Sequence, residues 1–193
     1  YFLLPFLDAL EQIGVRPEVV MNHETYEKGL FAEYIDSTIT NKDEIRGIIQ
    51  QISGRELPSD WFPYNPMGSD GSMDGVIVTG YEKPYVLWRD SSGNEGKSDI
   101  RKAHGKLPWR IDWAARWVIH GITCEPAGKD HGSAGGSYDT GIPICSLLGG
   151  NPPDKIVYEW IQLKGMGPMS SSSGLTIGPM EALSLVPPEI LRY

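Results

Sequence analysis

Residues 122–136 read ITCEPAGKDHGSAGG. ITCEP opens like a short strand that ends at Pro126, and residues 135–150 carry a helix expected to break or bend near Pro143. Between them lies a bare polar turn in which Gly128, Gly132, Gly135 and Gly136 surround Lys129, Asp130 and His131. A second strand is expected over 156–163, followed by the small-residue stretch KGMGPMSSSSGLTIGP (164–179). Strand, glycine-rich turn, helix, strand, Gly/Ser-rich loop is the order of the second half of a doubly wound α/β sheet. Ligands of such sheets sit beyond the carboxyl ends of the strands, so both polar loops are candidates for one binding rim.

Upstream, Phe2, Leu3, Phe6, Leu7, Leu10 and Ile13 form a helical stripe that Gly14 ends. VRPEVVM (15–21) is rich in β-branched residues and reads as a strand. Asn22 is placed to cap a brief helix ended by Gly29, residues 31–39 form another, and Asn41 is placed to cap a helix with Ile45, Ile48, Ile49 and Ile52 on one face. The composition shifts at residue 54 to Pro, Gly, Asp and Ser. VIVTG (76–80) and YVLWR (85–89) then read as strands and DSSGNEG as a turn, so 54–105 is an inserted β-rich module. Residues 106–120 turn helical, with Trp109, Trp113 and Trp117 on one side and Asp112 and Arg116 spaced to pair. MEALS and VPPEILRY begin further helices.

The chain has 193 residues, 40% of them hydrophobic, with six tryptophans and a mean hydropathy of -0.28, which suits a folded α/β protein. No apolar run approaches the roughly 18 residues of a membrane span, so no membrane partner is expected. The opening YFLLPFLDALEQIG lacks a basic leader and carries Asp8 and Glu11. With no initiator Met and an abrupt end at PPEILRY, a piece of a longer protein is expected. Two cysteines, Cys124 and Cys145, make no disulfide framework and point to a reducing cytoplasm. A net charge of -8 argues against strong non-specific nucleic-acid binding. The charge is uneven, however. Residues 89–116 hold seven Lys/Arg against four Asp/Glu, while residues 1–50 hold four against nine. That basic stretch either meets a phosphate backbone or is a solvated mixed-charge face.

Three segments carry candidate chemistry, each with a plain alternative. The glycines of 127–136 admit a ligand close to the backbone, Asp130 can accept from sugar hydroxyls and His131 can bond a polar substrate; the alternative is a surface loop. One histidine without metal-ligand spacing does not read as a zinc site. MSSSSG (169–174) offers hydroxyls and amides to a polyphosphate, or is a linker; it lacks the Gly-Lys-Ser/Thr ending of a P-loop. A tryptophan stripe is usually core, which fits Trp113 and Trp117. Trp109, beside Pro108 and Arg110, is instead placed to face a pocket and stack on a cation, with Tyr158 as a second wall.

The stretches GKLPWRIDWAARWVIHGITCEPAGKDHGSAGGSYDTG (105–141), YEWIQLKGMGPMSSSSG (158–174) and PPEILRY (187–193) resemble class I lysyl-tRNA synthetases. PFLDALEQIGV and the NKDEIRGII region resemble them more weakly. The resemblance implies a Rossmann-like catalytic domain: residues 1–53 as its first part here, 54–105 as the connecting insertion, 106–163 as its second half, and 164–193 as the signature loop and the start of a helical region. It implies activation of lysine with ATP and Mg²⁺, then transfer to the 3′-terminal adenosine of lysine tRNA. Gly128 and Asp130 would lie near the ribose, and Trp109, His131 and Tyr158 would line the lysine pocket. Met169, Ser170, Ser171, Ser172 and Ser173 match the family's mobile Met-Ser-Ser-Ser loop at the ATP phosphates. No residue acts as a nucleophile.

Some family features differ here. The His-Ile-Gly-His or His-Ile-Gly-Asn signature is absent and would lie upstream of Tyr1, and the anticodon-binding region would follow Tyr193. The chain by itself is therefore expected to hold half a site and to show no lysine-dependent ATP–pyrophosphate exchange. Pro168 and Ser173 stand where the signature loop often has lysines; Lys164 lies nearby as a candidate phosphate ligand. Met67, Asp70 and the segment 89–92 occupy the places of paired zinc cysteines, so no structural zinc is expected. The alternatives are another class I synthetase or nucleotidyl transferase, and a synthetase-derived binding module without turnover.

Overall fold

The computed structural model describes residues 3–170, 174 and 176–192. The chain begins with α1 (Leu3–Gln12), α2 (Asn22–Glu27), α3 (Ala32–Thr40) and α4 (Lys42–Ser53). Five short strands follow: β1 (Asn65–Pro66), β2 (Ile77–Glu82), β3 (Tyr85–Arg89), β4 (Glu95–Asp99) and β5 (Gly105–Lys106). Next come α5 (Trp109–Ile119), β6 (Cys124–Gly128), α6 (Lys129–Gly132), α7 (Ser137–Leu147) and β7 (Asp154–Tyr158). β8 (Gln162–Leu163), β9 (Gly167–Pro168), α8 (Pro179–Leu185) and α9 (Pro188–Arg192) complete the described chain. The protein is a mixed α/β chain with small sheets. It divides into two compact units, one of residues up to Val20 and from Trp160 onward, the other Met21–Glu159.

In the first unit α1 packs on α8, and Phe6, Ala9, Leu10 and Ile13 share an apolar groove with Pro179, Ala182, Leu183 and Leu191. Gly14, at φ +77°, ends α1 in the left-handed region, and Arg192 Nη1 donates to the carbonyl of Ile13 at 3.3 Å. β8 and β9 form a short antiparallel ladder, Gln162 opposite Pro168.

In the second unit Phe31, Ile35, Ile45, Leu107, Ile111, Trp117 and Ile144 are fully buried. Burying each such side chain is worth about 1.5–3 kcal/mol, and together they fix α3, α4, α5 and α7 around one core. β2, β3 and β4 form an antiparallel sheet, fastened to α3 where Tyr81 and Lys83 donate to the carboxylate of Asp36 at 2.7 and 2.6 Å. β1 pairs with β5. β6 and β7 run parallel, Cys124 opposite Asp154 through Gly128 opposite Tyr158, and α6 and α7 make the crossover between them.

Several local expectations are corrected. Residues 15–20 form no strand: Val15, Val19 and Val20 are exposed and pair with no strand among the described residues, and β-propensity cannot replace a partner. Asn22 does not take the N-cap position of α2, whereas Asn41 does take that of α4 but makes no capping bond with its side chain. Met21 precedes α2, Asn22 Oδ1 has no hydrogen-bond partner, and Asn41 Nδ2 turns back to the carbonyl of Ser37 at 2.8 Å. β6 runs to Gly128 rather than stopping at Pro126, because pairing with β7 extends it. β7 starts at Asp154 and ends at Tyr158, short of the expected 163. α7 starts at Ser137 and continues through Pro143. Its buried residues Tyr138, Ile144 and Cys145 hold it on α5 and α4 despite the missing N–H. β4 belongs to the sheet although its sequence, EGKSD, is polar.

Candidate functional site

Helix α5 starts directly after β5 and carries its three tryptophans from surface to core. Trp109 is 50% exposed, Trp113 7% and Trp117 1%. Trp109 and Trp113 stack with ring centroids 5.4 Å apart, and Trp113 meets Trp117 at 5.1 Å. Trp117 Nε1 donates to Glu125 Oε2 at 2.7 Å, which ties the helix to β6. Trp113 and Trp117 are core, and Trp109 is left open.

The cation over Trp109 comes from the protein itself: the Arg116 guanidinium carbon lies 5.3 Å from the ring centroid. Arg116 forms the expected i,i+4 ion pair with Asp112, Nε to Oδ2 at 2.8 Å. The Nε–H is not aligned on that oxygen, so the contact is an ion pair rather than a hydrogen bond. Asp112 is 6% exposed and accepts a 2.6 Å hydrogen bond from the phenol of Tyr26, whose oxygen accepts from the Leu107 N–H at 3.0 Å. Burial first, and then the Asp112 carboxylate, push the Tyr26 phenol far above its ordinary range, so it remains a donor. A buried acid with two such partners is satisfied, and the guanidinium above Trp109 is fixed in place.

Beside this cluster β6 ends at Gly128, opposite Tyr158, the last residue of β7. A Cβ on Gly128 would lie 3.7 Å from the Tyr158 ring. The single turn of α6 follows. It lies so close to β7 that a Cβ on Gly132 would come within 2.8 Å of Val157 Cγ2. Lys155 Nζ donates to the Gly132 carbonyl at 2.9 Å and meets Asp139 Oδ1 at 3.2 Å. Asp139 Oδ2 accepts from the Gly135 N–H at 3.0 Å. Arg110 Nη1 donates to the Gly136 carbonyl at 3.0 Å and to Thr140 Oγ1 at 2.9 Å, so the first turn of α5 fastens the start of α7.

Thus held, the His131 ring lies 5.9 Å from Trp109 and 6.0 Å from Trp113. Its Nε2 is 3.3 Å from Asp130 Oδ2 and its Nδ1 is 3.3 Å from Ser137 Oγ. Serine, histidine and aspartate in contact have the composition of a hydrolytic triad, but Ser137 is buried at 5% exposure at the start of α7, which does not favour it as a nucleophile. Lys129 is paired to Glu159 at 2.7 Å. What remains accessible is an indole face, an imidazole, the Asp130 carboxylate, the Tyr158 ring and glycine backbone. Chemically, such groups are suited to holding and orienting a ligand rather than attacking it.

Gly128, Asp130, His131, Trp109 and Tyr158 all belong to the Met21–Glu159 unit, where His131 joins the turn to Trp109 and Gly128 joins it to Tyr158. Lys164, Met169 and Ser170 belong to the other unit; Lys164 is exposed, and the Met169 N–H donates to the Ile161 carbonyl at 2.9 Å. Ser171, Ser172 and Ser173 lie outside the described residues. The sequence reading missed Arg110, Lys155 and Tyr26. Arg110 sits inside the Trp-Arg-x-Asp-Trp run and was legible there. The other two act over long sequence separations and leave no local pattern.

A family model described as tRNA synthetases class I (K) matches residues 1–193. The lysine--tRNA ligase of Picrophilus torridus is 42% identical over 195 residues, which cover 100% of this chain and 39% of that protein. The lysine--tRNA ligase of Archaeoglobus fulgidus is 42% identical over 195 residues, again 39% of its length. Lysine--tRNA ligase 1 of Methanosarcina acetivorans is 43% identical over 197 residues, 37% of its length. The chain therefore spans well under half of these curated relatives.

Proposed function

This chain belongs to the class I (K) tRNA synthetase family, and on that premise we propose that it is part of a ligase that activates lysine with ATP and passes it to the 3′ end of lysine tRNA. The observation that carries the reading is the contact between Trp109, His131 and the Gly128–Asp130 turn at the carboxyl end of β6, with Tyr158 at the end of the parallel neighbour. Adenylation needs no enzyme nucleophile. The lysine carboxylate attacks the α-phosphorus, pyrophosphate leaves, and the protein aligns the partners and stabilises charge. A site of aromatic walls, a carboxylate and open backbone suits that task.

In this reading Trp109, His131 and Tyr158 line the lysine site, and a wrong amino acid would leave its polar groups unpaired. Arg116 above Trp109 would repel the substrate ammonium were it not neutralised by Asp112. Gly128 and Asp130 face the ribose. Met169 and Ser170 to Ser173 serve the ATP phosphates, with Lys164 as an added charge. Mg²⁺ arrives with ATP; among the described residues no group of three or more His, Cys, Asp or Glu is gathered to hold a metal of its own.

The finer architecture is part of the proposal. Residues 1–53 and 106–163 are pieces of one Rossmann-like domain, 54–105 is its inserted module, and 164–193 lead into a helical region. Within the insertion Ser69 donates to Asp90 Oδ2 at 2.5 Å, and Asn94 Nδ2 donates to both, which supports two turns held together without zinc. Stoichiometric zinc by elemental analysis would overturn that. A cytoplasmic enzyme fits the two free cysteines.

The test is lysine-dependent ATP–pyrophosphate exchange by the complete gene product. Exchange with lysine alone among the amino acids is expected. Exchange with a different amino acid would move the chain to another class I specificity, and none at all would leave a binding module.

A further inference from the structure

Helix α5 carries a pair of opposite charges beside the candidate site. Asp112, 6% exposed, is held on both oxygens: Oδ1 accepts from the Tyr26 phenol at 2.6 Å and Oδ2 faces Arg116 Nε at 2.8 Å. Arg116 makes no other ion pair among the described residues, and its guanidinium carbon lies 5.3 Å from the centroid of the Trp109 ring. One buried carboxylate is thus the counter-charge of the cation that lies over the half-exposed indole. The remaining charges of the region are bound elsewhere. Lys129 pairs with Glu159 and Lys155 with Asp139, and Asp130 contacts His131. Arg110 donates to the Gly136 carbonyl and to Thr140.

An indole draws a cation to its face through a weak quadrupole, so a second charge nearby decides whether that face attracts or repels. Lysine stacked on Trp109 would hold its ammonium within about 6 Å of the ring centroid, and therefore no more than about 11 Å from Arg116 on either face. At an effective dielectric constant of about 20, a bare unit charge at that range weakens the binding of another cation by about tenfold. That is comparable to what the indole face offers, so an uncompensated Arg116 would cancel the attraction. We propose that Asp112 is the positioning residue that gives this site its preference for an ammonium side chain: it keeps the guanidinium in place over Trp109 and cancels its charge, without contacting the amino acid. Tyr26 belongs to the same device, because it fixes the carboxylate oxygen that does not face Arg116. Lysine as the amino acid is taken from the ligase reading; what is added is the residue that selects for its charge, against a neutral side chain of the same shape. Arg110 keeps its charge in every variant below and drops out of the comparison.

The experiment uses the complete gene product and compares lysine with 6-hydroxynorleucine, in which a hydroxyl replaces the ammonium. The readouts are the KM for radiolabelled lysine in its transfer to lysine tRNA and the inhibition constant of 6-hydroxynorleucine in the same reaction. Asp112→Asn keeps the shape of the side chain and can turn its amide oxygen to Arg116 and its NH2 to the phenol oxygen, so it removes the charge alone. It should raise the KM for lysine by about tenfold and leave the inhibition constant within about twofold. Adding Arg116→Gln should return the KM for lysine to within about threefold of the unaltered protein. Arg116→Gln by itself leaves the carboxylate uncompensated and should lower the ratio of lysine KM to inhibition constant several-fold, a readout that does not require Asp112→Asn to fold. Equal losses for lysine and its hydroxyl analogue in Asp112→Asn would make Asp112 a structural support only and overturn the proposal. No recovery in the double variant, or an unmoved ratio in Arg116→Gln, would overturn it as well. Absence of lysine transfer by the unaltered protein would remove the ligase reading and this proposal with it; transfer with an unmoved ratio removes the proposal alone.

Discussion

The phenol of Tyr26 donates a 2.6 Å hydrogen bond to Asp112 Oδ1, joining α2 to α5 across 86 residues of sequence. Its oxygen also accepts the Leu107 N–H. Tyr26→Phe leaves a buried carboxylate oxygen and a buried amide short of a partner, and is expected to cost about 1–3 kcal/mol in urea denaturation. Tyr34→Phe, at a partly exposed tyrosine of α3, is the control and should change little.

The tryptophan gradient along α5 separates stability from binding. Trp113→Ala empties a buried site and should cost about 3–5 kcal/mol. Trp109→Ala removes a half-exposed ring and should leave the melting temperature nearly unchanged. It should raise the KM for lysine in the exchange reaction of the complete gene product roughly tenfold, the scale of a missing cation–π wall. Equal effects of both substitutions on stability would contradict the described packing.

Gly132 is required by a close approach. Gly132→Ala puts a methyl 2.8 Å from Val157 Cγ2 and is expected to destabilise the protein by about 1–3 kcal/mol. Val157→Ala in the same chain should recover much of that loss. A double-mutant cycle reads the coupling directly, and strict additivity would argue against the contact.

The insertion should loosen in acid. Hydrogen bonds from Ser69, then Asn94, hold the Asp90 carboxyl at about 2, below its ordinary 3.8. A depressed acid stabilises the fold fully above its unfolded value, and that contribution is lost as pH falls from 3.8 towards about 2. Asp90→Asn should therefore flatten the pH dependence of melting in this window and lower stability slightly at neutral pH. Thermal scans from pH 2 to 7 make the comparison; identical slopes for the two proteins would count against the clasp.

The signature loop offers a gain-of-function test. Ser173→Lys in the complete gene product adds a charge beside the ATP phosphates of the proposed site. It should tighten ATP binding several-fold, measured as KM for ATP in exchange.

How much of this was legible depended on whether a residue's partner lay nearby in sequence. Ile45 and Ile49, buried on one face of α4, follow directly from helical periodicity, as do Trp113, Trp117 and the Asp112–Arg116 pair. Strand β4 was not legible because it joins the sheet through backbone pairing with β3. Only Ser98 among its side chains is buried, and Gly96 is there because the Trp88 indole covers it. The run Val15–Val20 misled in the opposite sense, since its β-branched residues describe a strand that nothing in the described chain pairs with. At the candidate site, Trp109, Asp130, His131 and Tyr158 were proposed from local motifs, and the structure brings His131 beside Trp109 and Gly128 opposite Tyr158. Tyr26 and Lys155, which hold that region from afar, required the fold.

A helical turn of four residues cannot sustain its own shape in water. α6 therefore takes its orientation from β7, through the Val157 side chain beneath Gly132 and the Lys155 ammonium on its carbonyl. Asp130 and His131 point where the strand sends them. Any sideways movement of that strand is delivered to the imidazole as leverage, and the turn behaves as a pointer mounted on the sheet.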